Sequence, residues 1–119
     1  EKTCLVTDAL AYAATNLEGV EDQQIIIEDG VCKTKDHEHL AGSIATMDVL
    51  VKNMVKAGVQ VENSIRMASE TPARIMGVFD RKGSLEKGKD ADILILDEKL
   101  NLRAAWAMGK LVEGMNTLV

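Results

Sequence analysis

The spacing of the apolar residues changes twice along this chain of 119 residues. Up to about residue 43 the apolar positions fall in short runs rich in β-branched residues. From Ile44 to Met76 they recur every three or four residues, and after Gly77 short aliphatic runs return. Residues three or four apart line one face of a helix, whereas short runs between turn residues are typical of strands. The order strands, helices, strands predicts an α/β fold.

The helical stretch divides into three expected helices. The first begins at Ile44 with Ser43 as its N-cap and ends at Gly58. The second covers residues 61–69, and a third, short helix covers residues 72–76 and starts with a proline, which the first turn tolerates. The residues of the second helix that we expect to be buried are Ile65 and Ala68.

Two β-hairpins flank the helices. Asp29-Gly30 separates the runs 24–28 and 31–35, and this dipeptide between β-branched residues is a strong signal for a two-residue hairpin loop. The acid-bounded aliphatic run "DILILD", residues 92–97, predicts a strand buried on both faces. A second hairpin is expected across Gly109.

Composition excludes several classes of function. With 46% hydrophobic residues, 28% charged residues and a net charge of -5, the chain resembles an ordinary globular protein and lacks a basic surface for nucleic acid. Its apolar runs are too short to cross a bilayer, and Cys4 and Cys32 have no metal or redox spacing, so we expect buried thiols. We therefore expect a cytoplasmic protein that binds neither nucleic acid nor membrane.

Two further patterns imitate functional motifs. Residues 83–89, "GSLEKGK", have the spacing of a phosphate-binding loop, but Asp90 replaces the Ser or Thr and a strand follows instead of a helix. A tight turn between two strands explains both glycines better. His37 and His39 have a spacing found in zinc sites, but they lie in a polar loop without further converging ligands, and we expect them to be solvent-exposed.

The carboxylate of Asp8 follows directly after a short strand expected at Thr3–Thr7. Barrel enzymes place catalytic groups at the carboxyl ends of strands, because the loops there form the mouth of the active site. An Asp is also a favoured N-cap, so Asp8 could equally cap a helix that begins at Ala9. Position alone leaves both readings open.

Several motifs carry a resemblance to a known family. They occur in the order "LVTDAL" (5–10), "DGVC" (29–32), "LAGS" (40–43), "TMD" (46–48), "RMAS" (66–69), "PAR" (72–74) and "GSLEKGKDADILILD" (83–97). Together they resemble the C-terminal third of the N-acetylglucosamine-6-phosphate deacetylases, a branch of the metal-dependent amidohydrolase superfamily. The last segment is shared by many amidohydrolases, whereas "LAGS" followed by "TMD" points to the deacetylase branch.

The resemblance implies an architecture larger than this chain. Residues 1–82 would form the C-terminal part of a (β/α)8 TIM-barrel catalytic domain, with Thr3–Thr7 as its eighth strand. Residues 83–119 would supply strands of a small β-sandwich domain. Such a barrel needs about 250 residues, so we expect the chain to be a fragment that is inactive alone. Its exposed barrel faces also predict a homo-oligomer.

The resemblance also implies a reaction and its residues. The substrate would be a small amino-sugar phosphate, N-acetylglucosamine 6-phosphate, which is hydrolysed to glucosamine 6-phosphate and acetate. A divalent metal, zinc or iron, would activate the water, with its Glu and His ligands outside this chain. Asp8 would accept a proton from this water and pass it to the leaving amine, and Leu40, Ala41 and Gly42 would contact the sugar.

Two alternatives remain from other classes. The chain could belong to another amidohydrolase branch, such as the cyclic-amide or dipeptide hydrolases, which share the segment 83–97. It could also be a non-catalytic interaction module whose apolar faces bind a partner.

Overall fold

The computed structural model describes residues 2–14 and 24–112, which form two compact units. We call residues 6–14 and 24–50 the hairpin unit, and residues 2–5 and 51–112 the helix–sheet unit. The helices and strands are, in chain order, β1 (Ile25–Glu28), β2 (Val31–Thr34), α1 (Met47–Lys56), α2 (Val61–Ala68), α3 (Glu70–Ile75), β3 (Ile93–Leu96), β4 (Leu102–Ala107) and β5 (Lys110–Leu111).

The predicted first hairpin is confirmed in the hairpin unit. Strands β1 and β2 pair antiparallel, with Ile27 opposite Cys32, and both of these side chains are almost fully buried. The two loop residues have positive φ, 52° at Asp29 and 70° at Gly30. Two successive positive φ angles are the mark of a type I′ turn, whose twist matches that of the paired strands.

The chain after β2 folds back along that strand. The Thr34 N–H donates to the His39 carbonyl at 2.8 Å, and the Ala41 N–H donates to the Cys32 carbonyl at 3.0 Å. Lys33 and Leu40 thereby form an antiparallel bridge. The segment around Leu40 is thus held against the edge of the hairpin by backbone hydrogen bonds.

Helix α1 begins at Met47, three residues later than predicted. The prediction of Ser43 as its N-cap was wrong, because the backbone of Ser43 bonds to Asp8 and Leu10 instead. The Ser43 hydroxyl accepts a hydrogen bond from the Ala45 N–H at 2.9 Å, which makes a local turn ahead of the helix.

Helix α2 is confirmed, but its buried face differs from the prediction. Ile65 was expected to be buried and is 39% exposed, whereas Ser64 is fully buried. The Ser64 hydroxyl donates to the Val51 carbonyl of α1 at 3.0 Å, so a hydrogen bond replaces the expected apolar contact at this position. Helix α3 follows after a single turn residue, and its Thr71 and Ala73 are buried.

The three C-terminal strands form an antiparallel sheet in the order β3-β4-β5. The hairpin between β4 and β5 is confirmed, with positive φ at Met108 and Gly109. Strand β3 was expected to be buried on both faces, which was wrong, since Leu94 is 62% and Ile95 42% exposed. Aliphatic runs of this kind suit strands covered on both faces, whereas within the described residues these two side chains are only partly covered.

The segment Thr3–Thr7 is not assigned as a strand. Within the helix–sheet unit, the Leu5 N–H donates to the Met67 carbonyl at 3.0 Å. Within the hairpin unit, Ala9 forms a parallel bridge with Ser43. A strand needs a continuous ladder, and the described residues supply only these separate contacts. None of the described helices is long and apolar enough to span a membrane.

Candidate functional site

Asp8 has an unusual backbone conformation within the hairpin unit. Its φ is 47°, a left-handed conformation that Asp tolerates better than most residues, and its side chain is exposed. Its carbonyl accepts a hydrogen bond from the Ser43 N–H at 2.9 Å. The backbone of Asp8 is thus fixed while its carboxylate faces solvent.

The alternative role of Asp8 as a helix cap does not fit the structure. Residues 11–14 form a turn, closed by a hydrogen bond of 3.0 Å from the Ala13 N–H to the Leu10 carbonyl, and no helix begins at Ala9. Within residues 2–14 and 24–112, no backbone amide donates to the Asp8 carboxylate. Among these described residues, the Asp8 side chain is exposed.

The predicted sugar-contacting loop, Leu40, Ala41 and Gly42, is connected to Asp8 by a backbone hydrogen bond of the next residue, Ser43. Leu40 is 75% exposed, and Ala41 is held by the Cys32 carbonyl as described above. The residue after the loop, Ser43, forms backbone hydrogen bonds with both neighbours of Ala9. Its N–H donates to the Asp8 carbonyl, and its carbonyl accepts from the Leu10 N–H at 2.8 Å. The structure thus joins the two predicted parts of the site through one parallel bridge.

Gly42 occupies a position that has no room for a side chain. Its φ is 65°, and a Cβ added there would lie 2.9 Å from Cγ of Leu10 and 3.2 Å from the Asp8 carbonyl oxygen. Only glycine meets both conditions without strain. The Leu10 side chain therefore fills the space on the Cβ side of Gly42.

An open, mostly apolar hollow of about 340 Å³ adjoins the same loop. Its wall includes the buried Cys32 and the apolar side chains of Val31, Leu40, Ile44 and Val49. Cys32 is a free thiol, as is the half-buried Cys4. The hollow can accommodate an apolar group, since its wall offers few polar partners.

The two histidines do not take part in this site. His37 and His39 are exposed, as predicted, and His37 Nδ1 lies 3.6 Å from an oxygen of Glu28. Beside them, the Thr34 hydroxyl and the Glu38 N–H donate to Asp36, and these bonds lower the pKa of Asp36. This bonding stabilises the turn that leads into Leu40.

A divalent metal does not fit the described residues by themselves. No group of three or more His, Cys, Asp or Glu side chains in residues 2–14 and 24–112 is arranged to hold one. Asp8 is a single carboxylate, whereas a catalytic zinc site takes about three protein ligands. We therefore derive no chemical step through a metal from this chain.

The phosphate-loop pattern at residues 83–89 has a structural role. The Lys89 side chain is only 8% exposed, and its Nζ donates to the Ser84 hydroxyl at 2.6 Å and lies 3.6 Å from the centre of the Phe79 ring. The lysine is therefore occupied within the protein. The expected turn between two strands was wrong, because helix α3 and its following turns precede this segment and β3 follows it.

Sequence reasoning missed Ser43 as the residue that joins the site and Leu10 as its packing partner. The parallel bridge connects positions 34 residues apart (43 minus 9), and neither periodicity nor turn chemistry reports such a contact. Ser43 is part of the motif "LAGS", but its residue type predicted a helix N-cap instead of a contact with Asp8 and Leu10.

The chain matches the Amidohydrolase family over residues 4–114. It is 40% identical over 111 residues to N-acetylglucosamine-6-phosphate deacetylase of Bos taurus. The matched region covers 91% of this chain and 27% of that protein. It is also 36% identical over 119 residues to a putative N-acetylgalactosamine-6-phosphate deacetylase of Escherichia coli, covering 93% of this chain and 68% of that protein. The chain thus spans about a quarter of the length of the deacetylases from animals.

Solved structures give the same result for the fold. The crystal structure of N-acetylglucosamine-6-phosphate deacetylase from Pasteurella multocida matches with a TM-score of 0.84 and 29% identity, over 92% of this chain and 29% of that chain. A mutant of the Mycobacterium smegmatis enzyme in complex with N-acetyl-D-glucosamine-6-phosphate matches with a TM-score of 0.78 and 28% identity, over 91% of this chain and 30% of that one.

Proposed function

Because the chain belongs to the amidohydrolase family, we propose that the whole protein hydrolyses N-acetylglucosamine 6-phosphate to glucosamine 6-phosphate and acetate, with Asp8 as its proton-transferring carboxylate. The relatives that cover most of this chain at about 40% identity are named for this reaction. The structural observation that supports the proposal is that Asp8 has an exposed carboxylate and a backbone bonded to Ser43, the residue that follows the Leu40–Gly42 loop.

Asp8 would act twice in the reaction. Its carboxylate accepts a proton from the attacking water while the water oxygen bonds to the acetyl carbon. When the carbon–nitrogen bond breaks, the protonated carboxyl group returns this proton to the amine nitrogen, so that acetate and the free amine leave. A carboxylate on a fixed backbone suits both transfers, because the same group must accept the proton of the water and then donate it to the leaving nitrogen.

The Leu40–Gly42 loop would hold the sugar next to Asp8. Its backbone is tied on one side to Cys32 and on the other side, through Ser43, to Asp8. A sugar that contacts this loop is therefore placed relative to the carboxylate by the fold itself. The exposed Leu40 side chain offers an apolar contact for the sugar ring.

Amidohydrolases are generally metal-dependent, and the divalent cation proposed here, zinc or iron, would take its ligands from residues outside this chain. Residues 1–82 would then belong to the TIM-barrel domain and residues 83–119 to a small β-sandwich. The proposal also includes a small amino-sugar phosphate as the substrate, no binding of nucleic acid or membrane, assembly as a homo-oligomer, and a cytoplasmic location.

A second substrate is favoured by one specific observation. The Escherichia coli relative of which this chain covers 68% is named for N-acetylgalactosamine 6-phosphate, at 36% identity. The two sugars differ only in the orientation of one hydroxyl group. The reaction class is the same for both, so the choice between them is a matter of the sugar contacts.

The central test replaces Asp8 by Asn in the whole protein. The amide keeps the shape of the side chain but accepts no proton, so we expect acetate release to fall roughly 10²–10⁴-fold. Asp29→Asn is the matched control, since Asp29 is also exposed and has a φ of 52° against 47° at Asp8. A turnover of Asp8→Asn within about tenfold of the control would contradict the proposed role.

A substrate panel separates the deacetylase from the alternatives. Acetate release is measured with N-acetylglucosamine 6-phosphate and N-acetylgalactosamine 6-phosphate, and hydrolysis is measured with a cyclic amide and a dipeptide. We expect the two sugar phosphates to be the best substrates. Faster hydrolysis of the cyclic amide or the dipeptide would assign the chain to another amidohydrolase branch, and turnover of none would favour an interaction module.

A further inference from the structure

The packing around Gly42 connects the two halves of the proposed site through one side chain. Leu10 follows Asp8 by two residues, and its Cγ and Cδ2 lie 2.9 and 3.0 Å from the place where a Gly42 Cβ would be. The Leu10 N–H also donates to the Ser43 carbonyl at 2.8 Å. Leu10 thus contacts the 40–43 segment both through its backbone and through its side chain.

We infer that Leu10 is a positioning residue, which sets the distance between the Asp8 carboxylate and the sugar-contacting loop by packing its side chain against Gly42. The inference rests on the proposed function and extends it to a residue for which the sequence indicated no role. Two backbone hydrogen bonds fix the ends of the contact, and the leucine side chain fills the space between them.

The physical consequence is that Asp8 and the loop move together. A bulkier residue at position 42 would push against Leu10 and against the Asp8 carbonyl, 3.2 Å from the added Cβ. A smaller residue at position 10 would let the loop approach or tilt. Either change displaces the carboxylate relative to the sugar, and a displacement of about 1 Å at a catalytic group costs up to about 10²-fold in rate.

The chain offers a matched control for the strain at Gly42. Gly30 has a φ of 70°, against 65° at Gly42, but an added Cβ at Gly30 would meet nothing within 4 Å. Gly30→Ala therefore reports the cost of a left-handed alanine alone. Gly42→Ala reports the same cost together with the contact to Leu10.

The experiment is a double-mutant cycle on acetate release by the whole protein. We expect Gly42→Ala to lower kcat/KM about 100-fold, with both a lower kcat and a higher KM, and Gly30→Ala to stay within about threefold of the unmodified protein. The double variant Leu10→Ala/Gly42→Ala should recover about tenfold over Gly42→Ala, because the shortened side chain makes room for the new methyl group.

The division between kcat and KM distinguishes positioning from a general loss of folded protein. Partial unfolding lowers the concentration of active enzyme and hence the apparent kcat, while KM stays unchanged. Displacement of the loop from Asp8 changes KM as well, and the rescue should restore both. An additive cycle, or a Gly42→Ala variant no worse than Gly30→Ala, would overturn the inference.

A second comparison decides the matter if Gly42→Ala does not fold. Leu10→Met nearly conserves the side-chain volume and should behave like the unmodified protein, whereas Leu10→Ala should raise KM and lower kcat. Equal kinetics for the two variants would overturn the inference. If the unmodified protein releases no acetate, the proposed function fails; if it does and the variants behave additively, only the role of Leu10 fails.

Discussion

The hairpin unit and the helix–sheet unit differ in the internal contacts that connect their own chain segments. In the hairpin unit, the candidate site is assembled by backbone hydrogen bonds, in which Ser43 bonds to Asp8 and Leu10, and Ala41 bonds to Cys32. Two of its positions, Asp8 and Gly42, have positive φ. The backbone of the catalytic candidate, Asp8, is thus fixed by main-chain hydrogen bonds, and its side chain is exposed.

In the helix–sheet unit, ion pairs between charged side chains are present in addition to the backbone hydrogen bonds. Glu70 pairs with Arg66 and with Arg74, at 3.2 and 2.8 Å, and these contacts lower the pKa of Glu70. Asp90 pairs with Arg81 at 2.7 Å and with Lys82 at 3.0 Å. The side chains of these pairs keep between 22% and 57% of their surface exposed to solvent, which screens the charges, so each pair contributes little stability by itself.

This difference predicts where substitutions should affect stability and where they should affect catalysis. We expect an exposed side chain at the site, such as that of Asp8, to tolerate substitution with little loss of folding, because backbone hydrogen bonds hold this part of the chain. In the helix–sheet unit, we expect substitutions to lower stability most at positions that are closely packed or that hold a buried polar group. We therefore expect stability and catalysis to be affected by variants in different units.

The largest expected loss of stability is at Gly83. Its φ is 88°, and an added Cβ would lie 2.6 Å from Cβ of Ala73 and 3.2 Å from the Ser69 carbonyl oxygen. We expect Gly83→Ala to lower the free energy of unfolding by about 3 kcal/mol, from overpacking and backbone strain combined. Urea denaturation of the whole protein measures this loss.

Gly88→Ala is the control for Gly83→Ala. Gly88 has a φ of 95° and nothing within 4 Å of an added Cβ, so only the strain of about 1 kcal/mol should remain. Equal losses at the two positions would show that packing against α3 does not distinguish them, and would weaken the contrast between the two units.

The next effect in size is at Ser64. Its hydroxyl is fully buried and donates to the Val51 carbonyl at 3.0 Å, which joins α2 to α1. Ser64→Ala should cost about 1 kcal/mol, because a buried carbonyl loses its side-chain partner. Ser69→Ala should cost less, since the Ser69 hydroxyl donates an exposed, local hydrogen bond to the Ile65 carbonyl of the preceding helix α2 at 2.7 Å.

Thermal unfolding and acetate release should be measured together for the two serine variants. The expected result is a lower unfolding temperature for Ser64→Ala with an unchanged KM. A raised KM would mean that the helix–sheet unit also sets the geometry of the site, contrary to the division drawn above.

The features that were predictable from sequence are those whose cause is local. Asp29-Gly30 and Gly109 determine their hairpins because the required positive φ angles depend on two adjacent residues. Helix α2 was predicted within one residue of its observed end, since apolar spacing and flanking residues mark it directly.

The features that were missed depend on contacts between distant residues. The exposure of Leu94 and Ile95 depends on what covers β3, and the composition of a strand does not contain that information. Ser43 was assigned to the helix by its residue type, but its backbone is engaged by Asp8 and Leu10. The same reasoning identified Asp8 only as a candidate, because position alone could not distinguish a helix cap from a strand terminus.

The smallest expected effect concerns Asp97, whose carboxylate closes the turn between β3 and β4. It accepts hydrogen bonds from the Asn101 side chain at 3.0 Å, from the Asn101 and Lys99 amides at 2.8 and 2.9 Å, and from Arg103 at 2.7 Å. These bonds lower the pKa of Asp97 to about 2. The unfolded chain has an ordinary Asp pKa near ~4, so the stabilisation is complete above that value and is lost as the pH falls towards about 2.

Asp97→Asn should therefore flatten the decline of unfolding free energy with falling pH in this window, whereas Glu98→Gln, at the exposed neighbouring position, should leave it unchanged. If Asp97→Asn kept the full decline, the acid sensitivity of the helix–sheet unit would have to come from its other carboxylates, Glu70, Asp90 and Asp92, whose pKa values are also lowered by their basic partners.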